Sequence, residues 1–335
     1  MQPSASNGPS GPTPWSSGYL LEIGRDAMAC RFEVLLHPGK PTNGPELACH
    51  ALETISYLEE QWSLYKPASE LSLINARAEA TAMPISESTK ALVALGLEVH
   101  RRTEGAFDLT ATKLSKAWGF FRRQGIMPGA AEIEQALREV GTHHIHLDID
   151  ANTIRYEAPV EINPGGIGKG LAIDMAADWL ENQGVEQYAF HGGKSSIRCR
   201  GEQEFSEIKT GWSIAVRHPE QSERLLGMLR LFDQSLGTSG PANQFFYFKG
   251  KRFGHIIDPR TGWPAEGVLS VTILHPNAGW ADALATGLYV LGIDRAIAYC
   301  ENNPDTAMLA ILPGERSGQV EIVTCNLQQG QWIPS

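Results

Sequence analysis

His255-Ile-Ile-Asp-Pro-Arg-Thr-Gly262 and Ala281-Asp-Ala-Leu-Ala-Thr-Gly287 are the two dense parts of the stretch from Ser235 to Gly292, and the rest of the chain is arranged around it. In the second part Leu284, Leu288 and Leu291 recur at the period of one apolar helix face. Asp282 and Thr286 stand four residues apart on roughly the opposite side, so a carboxylate and a hydroxyl share one turn. That is a hard oxygen pair, suited to a Mg²⁺-type ion completed by phosphate or water. The competing reading makes Asp282 an N-terminal cap that satisfies orphan amides and the helix dipole, and for this segment alone the cap carries more weight.

The first part shifts that balance. Gln244-Phe-Phe-Tyr-Phe248 predicts a strand and Lys249-Gly250 a tight turn, leading to His255 and the turn Asp258-Pro-Arg-Thr-Gly262. An imidazole, a carboxylate, a guanidinium and a hydroxyl together cost solvation and flexibility that a structural loop does not need. Function lives on such loops.

A chain of 335 residues, 42% of them hydrophobic, can bury a sizeable core in one large or two intimate domains. Its formal net charge of -10 and the lack of a basic stripe argue against nucleic acid as the main partner. Cys30, Cys49, Cys199, Cys300 and Cys325 are scattered without zinc-type pairing and read as ordinary buried thiols. Residues 1–17 are rich in Pro, Gly and Ser, with neither a basic n-region nor an apolar h-region, and predict a disordered lead-in to one domain over 18–335. No apolar run is long enough for a transmembrane segment. The expected location is cytoplasmic, or periplasmic if a leader has been removed.

Strands are predicted from Tyr19 to Ile23 and Arg31 to Leu36, with Met28 between them as core filler or a soft contact for a flat ring. Helical spacing runs from Glu46 to Trp62 and from about Ser86 to Thr103, with a polar loop from Ser63 to Asn75 between them. Tyr65 in that loop and Phe107 further on are either core aromatics or stacking platforms for a base. A short helix near Ala131 to Val140 and strands near His144 to Ile149 and Thr153 to Tyr156 lead to Asn163-Pro-Gly-Gly-Ile-Gly-Lys-Gly170. These glycines open a helix, so bare amides and Lys169 face any anion there. The run is neither a Walker A nor a dinucleotide motif, which leaves it a weak phosphate signal by itself. His191-Gly-Gly-Lys-Ser-Ser196 follows a strand and is either a close backbone approach to a ligand or a tight turn with a bulge. Further strands near Trp212 to Val216 and Leu229 to Phe232 deliver the chain to Leu236-Gly-Thr-Ser-Gly240.

In this order the stretches resemble the FAD:protein FMN transferase (ApbE-like) family from about Met28 to Gly292. The resemblance rests on Ser63-Leu-Tyr65 with Ser69-Glu-Leu-Ser-Leu-Ile-Asn75, Gly105-Ala-Phe-Asp108, Gly165-Gly-Ile-Gly-Lys-Gly170 with Asp174, Thr238-Ser-Gly240, and above all the two dense parts quoted first. It implies an α+β fold with a tunnelling-fold-like (T-fold) core, mixed sheets with helices and an FAD cleft between two lobes. It also implies a Mg²⁺-dependent enzyme that takes FAD as substrate, moves FMN to a Thr hydroxyl of an acceptor flavoprotein and releases AMP.

Carried over residue by residue, the resemblance puts Met28 on the flavin ring and Tyr65, Ala106, Phe107 and Asp108 on the adenosine side. Asn163, Ile256 and Ala285 would line the FAD pocket, and Lys169 would hold the pyrophosphate. Asp282, Thr286 and the Gly166 carbonyl would bind the metal. His255 would be the base that accepts the Thr proton, a role suited to its near-neutral pKa. The chain departs from the family pattern at Asn163, where an Asp is usual, and at Ala29-Cys30, where Gly-Thr is usual. It departs again at Lys194-Ser-Ser196, where Asn or Asp usually follows the glycine pair, and at Ala285, where some members carry an acid. An FAD-binding protein without transfer, and an FAD pyrophosphatase giving FMN and AMP, use the same residues and stay open as alternatives.

Overall fold

The computed structural model describes residues 19–204, 210–240, 244–316 and 318–335; the lead-in expected over residues 1–17 lies outside them. Strands β1 (Leu21–Ala27) and β2 (Cys30–Leu36) form a hairpin turned by Met28 and Ala29, whose φ values are 49° and 59°. Such two-residue turns need positive φ to match the twist of the strands. Helix α1 (Gly44–Trp62) then packs its apolar face inward, as its spacing predicts. The polar loop expected from Ser63 to Asn75 is partly helical: Ser69 Oγ accepts the Ser72 amide at 3.0 Å and starts α2 (Glu70–Arg77), which buries Leu71 and Ile74.

Next come β3 (Met83–Pro84), α3 (Glu87–Arg102), α4 (Thr112–Ala117) and α5 (Ala130–Arg138). β4 (Ile145–Asp148) and β5 (Thr153–Tyr156) join β3 in a small sheet. The glycine run opens α6 (Gly168–Asn182), as expected, and β6 (Tyr188–Gly192) and β7 (Ser196–Arg200) turn through Gly193. β8 (Trp212–His218), β9 (Gln221–Leu231) and β10 (Ser235–Ser239) follow, then the hairpin of β11 (Phe245–Phe248) and β12 (Lys251–Gly254). The chain closes through β13 (Ser270–His275), α7 (Ala278–Leu291), α8 (Ile293–Glu301), β14 (Ala307–Pro313), β15 (Val320–Cys325) and β16 (Trp332–Pro334).

The organising element is an eight-stranded sheet ordered β1-β2-β6-β7-β10-β13-β14-β15, and every pairing in it is antiparallel. β13 is buried at all six residues because both faces are covered. Val271 and Ile273 face the helical side with Ala281 and Leu284, whereas Leu274 faces Leu229 and Leu231 of the three-stranded sheet β16-β9-β8. The expected α+β class is thus realised as helices on one side of a large sheet and a smaller sheet on the other.

α7 lies on β10 and β13, with α6 beside it. The sequence predicts one apolar face along Leu284, Leu288 and Leu291; instead the helix is buried nearly all round, and between Ala281 and Val290 only Thr286 is half-buried. That is the signature of a core helix, and its apolar residues fit it. It approaches the sheet closely at Gly237, where an added Cβ would stand 2.4 Å from the Ala281 carbonyl. The cysteines differ from expectation: Cys199 and Cys300 are buried, but Cys30 and Cys325 are half-buried and Cys49 is exposed.

Candidate active site

Where α7 begins bears on the capping reading of Asp282. Its first helical residue is Ala278, so Asp282 lies in the second turn and does not cap its own helix; the amide it accepts is that of Gly170, in the first turn of α6. The capping carboxylate comes from α6: Asp174 accepts the Ala278 and Gly279 amides at 2.9 and 2.8 Å, and Arg198 Nη1 donates to it at 3.0 Å. Burial pushes the Asp174 carboxyl up, and the two amides and Arg198 oppose that push.

Asp282 itself is 4% exposed. Its Oδ1 accepts from Ser196 Oγ at 2.8 Å, and its Oδ2 accepts from the Gly170 amide at 3.1 Å with Lys169 Nζ at 3.4 Å. A buried carboxylate held by three donors is fixed in orientation. One turn on, Thr286 Oγ1 shares a 2.8 Å hydrogen bond with Ser239 Oγ on β10. The Cα of Gly166 faces the same hydroxyl, since a Cβ there would stand 3.4 Å from Thr286 Oγ1 and 3.1 Å from the Phe107 ring. Asp282, Thr286, Gly166 and Lys169 therefore meet where α6 begins beside α7. Phe107 forms a wall of this place.

Cys30 closes one side of the cluster. Its Sγ would lie 3.4 Å from a Cβ on Gly193, and burial raises its thiol pKa while Lys169 and Asp282 act on it with opposite signs. Asn163 Oδ1 accepts the Gly165 amide at 2.8 Å, shaping the glycine run as an Asx turn. An amide performs that task as well as a carboxylate.

His255 stands at the foot of the β11–β12 hairpin. Its amide donates to the Gln244 carbonyl at 3.1 Å and its Nδ1 to the same oxygen at 3.2 Å, which leaves the lone pair on Nε2. The ring meets Phe120 edge-on at 6.4 Å, and burial lowers its pKa. Neutral imidazole is the form a base requires. In the turn that follows, Arg260 grips Asp258 with two 2.8 Å contacts and Trp118 Nε1 donates to the Gly262 carbonyl at 2.8 Å. The carboxylate and guanidinium thus staple the loop. Arg260 also lies against Gly105, next to the Ala106–Asp108 run.

The remaining positions are dispersed. Tyr65 is 74% exposed and stacks on Phe121 at 5.5 Å. Asp108 is occupied within the fold, accepting from the Thr110 amide and hydroxyl and from the Thr142 amide, with His100 Nδ1 at 3.2 Å. Ala106, Ile256 and Ala285 are buried, and Met28 sits half-buried with its amide on Glu59 Oε1 at 2.6 Å. Ser196, Ser239 and Gln244, which position the candidate residues, stand in runs singled out from the sequence, which assigns none of them a role. Short hydroxyl and amide side chains carry no periodic signal that would assign one.

Among the described residues no three His, Cys, Asp or Glu side chains gather as a metal cluster. The ammonium of Lys169 lies 3.4 Å from Asp282 Oδ2. The Asp282 carboxylate and the Thr286 hydroxyl are hard oxygens one turn apart, with the Gly166 backbone beside the hydroxyl. This fits Mg²⁺ with water or phosphate completing its shell.

The fold is that of the solved flavin transferases: flavin transferase ApbE from Vibrio cholerae superposes with a TM-score of 0.78 at 28% identity, covering 92% of this chain and 97% of that one. A FAD:protein FMN transferase of Haemophilus influenzae is 33% identical over 295 residues, 85% of this chain and 84% of its own length. One of Vibrio cholerae is 32% identical over 259 residues, 76% of each chain. The ApbE family model matches residues 28–310, and the chain belongs to the ApbE family.

Proposed function

We propose that this protein transfers FMN from FAD to a Thr hydroxyl of an acceptor flavoprotein and releases AMP. The observation that carries the reading is Asp282, a buried carboxylate that leaves the capping of its own helix to Asp174 and stands between Lys169, the start of α6 and Thr286. Names borne by the relatives point the same way.

Asp282, Thr286 and the Gly166 carbonyl would hold Mg²⁺, which when bound neutralises phosphate oxygens. Lys169 and the positive end of the α6 dipole would compensate the remaining pyrophosphate charge. His255 Nε2 takes the proton of the acceptor Thr, whose oxygen bonds to the FMN-side phosphorus as the bond from that phosphorus to the AMP oxygen breaks. The electron pair leaves with AMP, and the imidazolium returns its proton to AMP or solvent. Water in place of Thr would give FMN and AMP.

The test is AMP release from FAD and Mg²⁺ by the wild type and by Asp282→Asn. The isosteric amide removes the charge and should lower the rate by about 100-fold or more, with little change in thermal midpoint. Wild-type turnover in the variant would remove Asp282 from the reaction.

A further inference from the structure

The β11–β12 hairpin carries an exposed surface that packing does not account for. Its inner face pairs Phe246 with Phe253 and stacks both on Trp118. Its outer face leaves Phe245 41% and Tyr247 67% exposed, rings 5.7 Å apart, with Phe248 38% exposed beyond them. Large aromatics in one patch on a surface mark a contact site more often than chance exposure.

The edge is open as well. The sheet has only these two strands among the described residues. The His255 amide bonds to the Gln244 carbonyl, so in an antiparallel ladder the alternate residues Phe245 and Tyr247 point N–H and C=O away from β12. Charge is the third observation. Residues 244–255 contain Lys249, Lys251 and Arg252 and no carboxylate, on a chain of net charge -10; Lys251 pairs with Glu266 and Arg252 with Glu220, so the charge argument rests on Lys249 in this segment. The neighbouring segment, tied to the hairpin by Gln244 Nε2 on the Phe120 carbonyl at 2.6 Å, adds exposed Arg122 and Arg123. Lysines alone would guard an open edge against self-pairing. They do not explain the exposed aromatic pair beside them, or why the open strand ends at the candidate base.

We propose that an extended, acidic segment of the acceptor flavoprotein adds a strand to the free edge of β11, so that its Thr arrives at His255. Main-chain bonds would supply register, the aromatics contact and the surrounding cations selection by charge. The inference rests on the transfer reading for the identity of its partner.

It is tested with the full chain, FAD and Mg²⁺, and two fluorescent peptides that alternate Val with Asp or Val with Lys around one Thr. Anisotropy should show the Asp peptide binding about tenfold tighter than the Lys peptide. Lys249→Glu with Arg122→Glu should erase that preference, and Phe245→Ser with Tyr247→Ser should weaken the Asp peptide about tenfold. FAD affinity should stay within about twofold for both variants, since neither pair belongs to the phosphate site. Equal binding of the two peptides, tighter binding of a single-stranded oligonucleotide, or indifference to the variants overturns the docking proposal. Docking as described with no FMN on the Thr would instead sink the transfer reading, and FMN transfer indifferent to the hairpin would spare transfer and remove the docking site.

Discussion

Ser196 Oγ and Asp282 Oδ1 lie 2.8 Å apart in a buried hydrogen bond between residues 86 positions apart. The bond joins the start of β7 to α7 and fixes one oxygen of the carboxylate while the Gly170 amide fixes the other. Ser196→Ala should leave the fold intact and weaken Mg²⁺ binding by about 10-fold, the usual cost of losing a partner that orients a ligand. Titrating Mg²⁺ against FAD cleavage, together with calorimetric Mg²⁺ binding, checks this; an unchanged metal affinity would make Ser196 a packing residue.

The cap supplied by Asp174 carries a heavier structural load. Asp174→Ala strips two amides of their acceptor and leaves the Arg198 guanidinium short of a buried partner. Breaking a buried pair this way costs roughly 3–5 kcal/mol. Arg198 keeps Asp178 and Glu181 as partners, so the lower end is expected. Urea unfolding of the two proteins measures it, and a loss under about 1 kcal/mol, the scale of one ordinary cap, would contradict the role given to Asp174.

The turn at Met28 and Ala29 holds a non-glycine residue at φ 59°. A left-handed conformation costs such a residue about 1–2 kcal/mol, and Ala29→Gly would recover it less the roughly 0.4–1 kcal/mol that glycine adds to the unfolded chain. The variant should be more stable by about 0.5–1 kcal/mol. A destabilised variant would show that the Ala29 methyl packs usefully.

Burial lowers the pKa of His255, opposed by its bond to the Gln244 carbonyl. A base must be neutral, so the transfer rate is full above the folded-state pKa and falls as pH drops through it. Because that pKa is depressed, the acid limb should lie below the usual histidine value. His255→Ala should abolish the limb along with most of the rate; a limb that survives would belong to another group.

The helical period of Leu284 and Leu288 and the glycine run opening α6 were legible in the sequence because each is a local pattern, whereas the α+β class followed from the resemblance that the ordered motifs carry. The setting of Asp282 was not, because the amide it accepts belongs to Gly170, 112 residues away, and the cap of its own helix is supplied by Asp174. The same limit hid the partner of Ser239, 47 residues distant; the pairing of Asp258 with Arg260 is local, but a sequence does not show whether two charges on one turn meet each other or a ligand. α2 escaped notice because it is eight residues long and half polar. Leu71 and Ile74 are buried in the assembled core, where α2 packs on α1.

The most direct measurement follows both products at once: AMP by chromatography and covalent flavin by mass spectrometry, after incubating the protein with FAD, Mg²⁺ and a Thr-bearing acceptor peptide. The account predicts AMP and FMN-modified Thr in equal amounts, both lost in His255→Ala. AMP with free FMN and an unmodified peptide would make the protein a pyrophosphatase, and no AMP at all would contradict the account outright.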